Sequence, residues 1–357
     1  MATTFAVPDG RVAMAATTYT GTNATLAVSN AVNSVGMQPD LVWLKSRSIG
    51  ASNHALYDTN RGARVMLQSN TTIADFTDSA GVGMTAFNAN GFSLGTDTAA
   101  ASCSVNGNGV TFIGWQWKAG GTAVSNTAGT ITSSVSANTT AGFSVVTYTG
   151  NGIAGATIGH GLGAVPSLII VKNRSNAAMN WLVYSSTQGA NKYGYLNLGN
   201  PWATDVTGFN NVTPTIAVFS VGTATETNGA AQVAYCWAPV AGYSAFGSYT
   251  GNGSADGPFI YTGFRPRYFL TKRTDLAGTR WIVMDTSRNL TNVADLTLAP
   301  NAANAELNNS PYWLLDFLSN GFKIRGYQSG DSEWNVPGAN FIYAAFAENP
   351  LKYANAR

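Results

Sequence analysis

Charge is scarce in this chain. Charged side chains make up 10% of 357 residues, against roughly 25% in an average soluble domain. The 19 basic and 17 acidic residues leave a formal net charge of +2 and form no basic run. Phosphate neutralisation needs clustered cations, so nucleic acid is not an expected partner. No segment approaches the roughly 20 consecutive apolar residues of a membrane-spanning helix, so no membrane insertion is expected. The start, MATTFAVPDG, lacks a basic segment followed by an apolar one; assembly in a cytoplasm without export is expected. Only two cysteines occur, Cys103 and Cys236, in separate parts of the chain, and two unpaired thiols are expected. With two histidines besides, neither a zinc site nor any other metal or cofactor site is expected. Amphipathic stretches of helical period are missing as well, apart from room for short helical turns near Thr72–Asp78 and Asn301–Leu307.

What fills the space is Gly (39 residues), Ser, Thr, Asn and Ala, with an ordinary 45% of hydrophobic residues. That composition builds cores between many turns and favours an all-β protein. The strongest pattern is a threefold repeat. PDLVWLKSRSIGASNHALYD (Pro39–Asp58) returns as PSLIIVKNRSNAAMNWLVYS (Pro166–Ser185) and as PRYFLTKRTDLAGTRWIVMD (Pro266–Asp285). Six positions after each Pro stands a Lys (Lys45, Lys172, Lys272), and nine further a ring (His54, Trp181, Trp281). Each copy lies between an opening Tyr-Thr-Gly (Tyr19, Tyr148, Tyr249) and a closing aromatic run ending near Trp117, Trp237 or Phe346. Short apolar runs bounded by turn residues read as buried strands.

The expected architecture is three tandem antiparallel β-sandwich modules of jelly-roll or lectin-like type. An N-terminal arm covers residues 1–13, and module one covers 14–120. A Gly/Ser/Thr-rich linker with room for a strand at Thr130–Val135 follows over 121–142, then module two over 143–240 and module three over 247–350. The linker suggests that module one moves freely while modules two and three pack together.

Candidate chemistry is thin. The Lys-x-Arg pairs Lys45/Arg47 and Lys172/Arg174 invite a clamp for acidic sugars. The favoured reading is a strand end that turns its charges to water while the stems cover apolar surface. His54 is replaced by Trp in the other copies, so its position requires a ring and core packing is expected. Asp58 and Asp285 recur, but Ser185 stands between them, which points to structure. No nucleophile elbow, phosphate loop or repeated pair of acids appears, so no catalytic residue is assigned. Asp331 and Glu333, beside Trp334, form the best local acidic pair. Surplus aromatics remain, and Trp202, Trp313, Trp334, Asp331 and Glu333 are the expected ligand or partner contacts. Function is expected in loops that differ between the copies: 71–83, 200–211 and 326–338.

The combined pattern of Tyr-Thr-Gly-Asn, Pro-x-Leu, Lys-x-Arg, a Trp or His ring and a closing Ala-Tyr-Cys-Trp resembles a repeat family of tailed-bacteriophage virion proteins. Gly142–Asn151, Ile169–Ser175 and Ala344–Pro350 match it most closely. His54, and the shortened Lys272-Arg273, depart from it. The resemblance implies a non-enzymatic structural protein of the virion surface, a tail-fibre or appendage component contributing to host attachment. It further implies other virion proteins and a host cell-surface glycan or receptor as partners, with a homotrimer as the expected assembly. A capsid decoration (cement) protein is the alternative, with a polysaccharide depolymerase ranked third.

Overall fold

A computed structural model describes residues 5–30, 36–100, 102–224, 227–308 and 311–349. Met1–Thr4 of the expected arm, and the expected end of module three at Pro350, lie outside the described residues. The chain is all-β, and among the described residues the single helical element is a 3-10 turn at Gly10–Val12.

One four-strand order occurs three times. In the first sheet Met14–Thr20 pairs with Thr111–Trp117, which pairs with Leu41–Ser46, which pairs with Ala55–Asp58. In the second, Phe143–Thr149, Ala231–Trp237, Leu168–Asn173 and Trp181–Ser185 follow the same order. In the third it is Ser244–Thr250, Asn340–Asn349, Arg265–Arg273 and Trp281–Asp285. All these pairings are antiparallel, and the third is irregular at Pro266, which has no N–H to give to the ladder.

The central strands are buried almost from end to end because both faces are covered. Leu41 and Trp43 point to one side, with Ile113, Trp115 and Trp117. Val42 and Leu44 point to the other, onto Val28, Phe92 and Leu94 of a smaller sheet. In the third unit Phe269, Ile282 and Met284 meet Leu315, Phe317, Phe322 and Ile324 in the same manner. Ile169, Val171 and Leu182 meet Ile158 and Phe219 in the second. Each large sheet is therefore one layer of a sandwich.

Its remaining face enters a core common to all three. Trp117, Trp237 and Phe346 occupy matching registers on the last strand of each sheet. They meet at the centre: Trp117 lies 6.0 Å from Trp237 and 5.7 Å from Phe346, ring centre to ring centre, edge to face.

Expectations for the linker, the first unit and the helical turns change. Residues 121–142 hold two strands, Val124–Asn126 and Ser133–Asn138, that extend the second sheet instead of forming a linker. The first unit is packed into the common core and does not move freely, because Trp117 meets Trp237, Tyr268 and Phe346 of the other two and Trp115 meets Tyr268. The arm folds back on its own chain from Phe5 onward: Val7 and Ala13 are buried in the common core, and the Phe5 ring packs on Gly242. Cys103 and Cys236 are buried free thiols. The segments allotted to helical turns are extended; Phe76–Thr77 and Leu307–Asn308 are strands.

Candidate functional site

The repeated motif residues meet at the joints between sheets. Trp181 of the second unit donates its indole N–H to the Gln68 carbonyl of the first at 2.9 Å. Trp281 of the third donates to the Tyr195 carbonyl of the second at 2.8 Å. His54 of the first lies 2.9 Å through Nε2 from the Ala299 carbonyl of the third, while its Nδ1 accepts from the Trp43 indole. Nε2 therefore carries the proton and donates. Burial holds the imidazole well below its usual pKa, so the ring is neutral. The three bonds run head to tail and close a ring of joints.

Two of the three lysines follow the same circuit, and Lys272 bonds within its own unit. Lys172 Nζ donates to the Thr72 and Met179 carbonyls, and Lys45 Nζ to the Ser46 and Ala303 carbonyls. Lys272 Nζ donates to Thr279 Oγ1 and the Arg273 carbonyl. All three are buried, not turned to water as the sequence suggested. Desolvation lowers each to about 8. Arg47 pairs with Glu306 and Arg174 with Asp75, each across a joint. An acidic-sugar clamp has no free cation here. The third copy has Thr274 at this place, and its carbonyl accepts from the Trp202 N–H. Trp202 is buried at that joint, edge to face with Trp281 at 5.8 Å, in a space that Gly194 leaves open. It is a joint residue, not an exposed contact.

A further set distinguishes the joints. Asp58 Oδ2 accepts from Arg61 and from Tyr235 of the next unit. Asp285 Oδ2 accepts likewise from Arg288 and from Trp115. At the matching place in the remaining joint stand Ser185, Gln188 and Ala344, so acid, base and ring are all gone. A cavity of about 10 Å³ remains there, lined by Ser185, Trp281, Tyr343 and Ala344 among others; that is room for about one water molecule.

An open cleft of about 300 Å³ lies on the third unit, lined by Tyr312, Trp313, Gln328, Ser329, Gly330 and Asp331. Two loops make it. Pro311–Trp313 leads into the strand Leu314–Leu318, and residues 326–335 follow the strand Gly321–Arg325. Gly326, at φ +71°, lets them cross: a Cβ there would sit 2.3 Å from the Tyr312 carbonyl.

The cleft is held from behind. Asp331 accepts from the Trp313 indole N–H and from the Glu333 amide. Glu333 accepts from Arg280 Nε and Nη2 and from its amide. The Arg280 guanidinium lies 4.6 Å from the Trp313 ring centre, and Trp334, fully buried, stacks on the same indole at 6.4 Å. Of the five expected contacts, Trp313 and Asp331 line the cleft, Glu333 and Trp334 brace it, and Trp202 lies elsewhere. Sequence reading missed Tyr312, which is 42% exposed, and Gln328.

Both Glu333 carboxylate oxygens are taken up by Arg280, so the group is turned to bracing the loop and away from a ligand. Among the described residues no group of three or more His, Cys, Asp or Glu is placed to hold a metal ion. His160 is buried in the second unit with Nε2 against the Thr215 carbonyl, and has no part in the cleft. No helix among the described residues is long and apolar enough to cross a membrane.

A protein-family model described as a domain of unknown function, DUF7483, matches residues 12–350. No curated protein and no solved structure matches the chain.

Proposed function

We propose for this chain, which belongs to the DUF7483 family, a non-enzymatic structural role on the surface of a tailed-phage virion, as a tail-fibre or appendage component that contributes to host attachment. The observation that carries this reading is the division of polar residues. Lys45, Lys172, the recurring rings, Asp58 and Asp285 are engaged in closing the three sheets on one another, and Lys272 is engaged within its own unit. The roomy cleft at Tyr312 instead offers an exposed ring, an amide and a hydroxyl, with its acids already engaged. Such a surface suits recognition better than bond cleavage. The motif resemblance to virion repeat proteins supports the setting, and a homotrimer is proposed with it.

Purified chain added to host cells before infection should bind them and block phage adsorption. Absence of both effects overturns the attachment role. Labelled electron microscopy of the particle should place the chain on the tail; label on the head would favour the capsid-decoration alternative. Release of reducing ends from host polysaccharide, lost in Glu333→Gln or Asp331→Asn, would turn the reading to a depolymerase. One sedimentation run checks the trimer.

A further inference from the structure

The crossing beneath the cleft on the third unit recurs in the other two, with different residues entering it. Gly326 meets the Tyr312 carbonyl where the third unit's loops cross. In the first unit Gly95 meets the Gly81 carbonyl at the same crossing, and in the second Gly222 meets the Thr207 carbonyl. The loop entering there reads Gly81-Val82-Gly83 in the first unit and Thr207-Gly208 in the second. Only the third places two large rings, Tyr312 and Trp313, at this point. Tyr312 is 42% exposed, and Trp313 beside it is buried and fixed from several sides, so the pair sets an open ring on a rigid support.

We infer that this cleft is a binding site for a neutral saccharide, with Tyr312 as the stacking platform and Gln328, Ser329 and Asp331 as hydroxyl partners. The inference rests on the attachment reading and names its ligand. A pyranose has one face of C–H groups and a rim of hydroxyls. The C–H face packs on the electron-rich face of an aromatic ring. The hydroxyls both give and accept hydrogen bonds, and the cleft supplies acceptors in the Asp331 carboxylate, both in the Gln328 amide and a donor in the Ser329 hydroxyl. Asp331 holds its place through the Trp313 indole and its own loop, so its carboxylate is oriented before a ligand arrives.

Charge selects against acidic sugars. Arg280 is held by Glu333, and Arg273 by Asp275 and the Ser332 carbonyl. With Asp331 added, three carboxylates face two guanidiniums, and neither cation is free to receive an anion. A volume of about 300 Å³ accommodates one or two sugar rings.

Saturation-transfer NMR on the full chain tests this, with methyl α-D-glucopyranoside, methyl α-D-galactopyranoside and N-acetylglucosamine as probes and N-acetylneuraminic acid as the anionic comparator. At about 10 mM sugar, at least one neutral probe should receive saturation, strongest on its C–H face. Tyr312→Ala and Gln328→Ala should each weaken binding by roughly tenfold or more, with the thermal midpoint unchanged because both side chains are exposed. No transfer to any neutral probe, equal transfer in Tyr312→Ala, or preference for N-acetylneuraminic acid would each overturn the inference. The two readings fail separately. Saccharide binding without blocked adsorption removes only the attachment role, and blocked adsorption that survives Tyr312→Ala without saccharide binding removes only the cleft.

Discussion

Lys45, Lys172 and Lys272 show at the residue scale how the fold treats a charge it has enclosed. Each ammonium donates to carbonyl or hydroxyl oxygens, and burial lowers it to about 8. An unfolded lysine titrates near 10.4. Between those values the unfolded chain binds more protons than the folded one, so stability rises with pH across the window. Each lysine contributes up to about 1.4 kcal/mol per pH unit there. Buried Cys103, pushed up to about 12, acts in the opposite sense once an unfolded thiol begins to ionise near 8.5. Urea midpoints should therefore climb between about pH 7.5 and 8.5, and Lys172→Met should reduce the slope. A midpoint that is flat or falls in that interval contradicts the assignment.

Elements matter at the joints, where three nearly equivalent crossings carry different chemistry. Asp58 with Arg61 and Tyr235 closes one, Asp285 with Arg288 and Trp115 closes another, and Ser185 faces Ala344 in the third. Removing one member leaves a buried charge without its partner, so Asp58→Ala should cost about 3–5 kcal/mol in chemical denaturation. The triple change Asp58→Ser, Arg61→Gln, Tyr235→Ala reproduces the third joint. It should cost less than the sum of the three single changes, because the charge and its partner leave together; simple additivity would count against a coupled triad.

The sequence made the repeat, the strands and the need for a ring at position 54 legible, because spacing and apolar runs record them directly. It could not show that each ring, together with Lys45 and Lys172, reaches into a neighbouring unit. Their acceptors, at Gln68, Tyr195, Ala299, Thr72 and Ala303, are backbone carbonyls that carry no side-chain signature. Lys272-Arg273 looked like a broken motif until Thr274 proved to hold the place of Arg47 and Arg174, with Trp202 against it. Tyr312 stayed hidden for a related reason: the small sheets repeat in space, but their sequence spacing is too loose to align Pro311–Trp313 with Gly81–Gly83.

For the whole molecule, closure within a single chain replaces what three separate subunits would otherwise do. Each sheet gives one face to its own sandwich and the other to the common centre, so no unit owns a complete core. Trp117 touches Trp237, Tyr268 and Phe346, and Trp115 touches Tyr268. Each such ring contributes about 1.5–3 kcal/mol by burial. Taking away the first unit removes three tryptophans from the centre and uncovers at least three rings of the remainder. Uncovering those three rings costs the remainder up to about 5–9 kcal/mol, comparable to the roughly 5–15 kcal/mol that stabilises a typical domain. A chain of residues 121–357 should therefore fail to fold as a soluble monomer, although it contains two of the three sheets entire. The full chain should melt in one calorimetric transition with equal calorimetric and van't Hoff enthalpies. Separate transitions, or a cooperative fold in the fragment, would mean that the units are independent domains and that the central rings only touch.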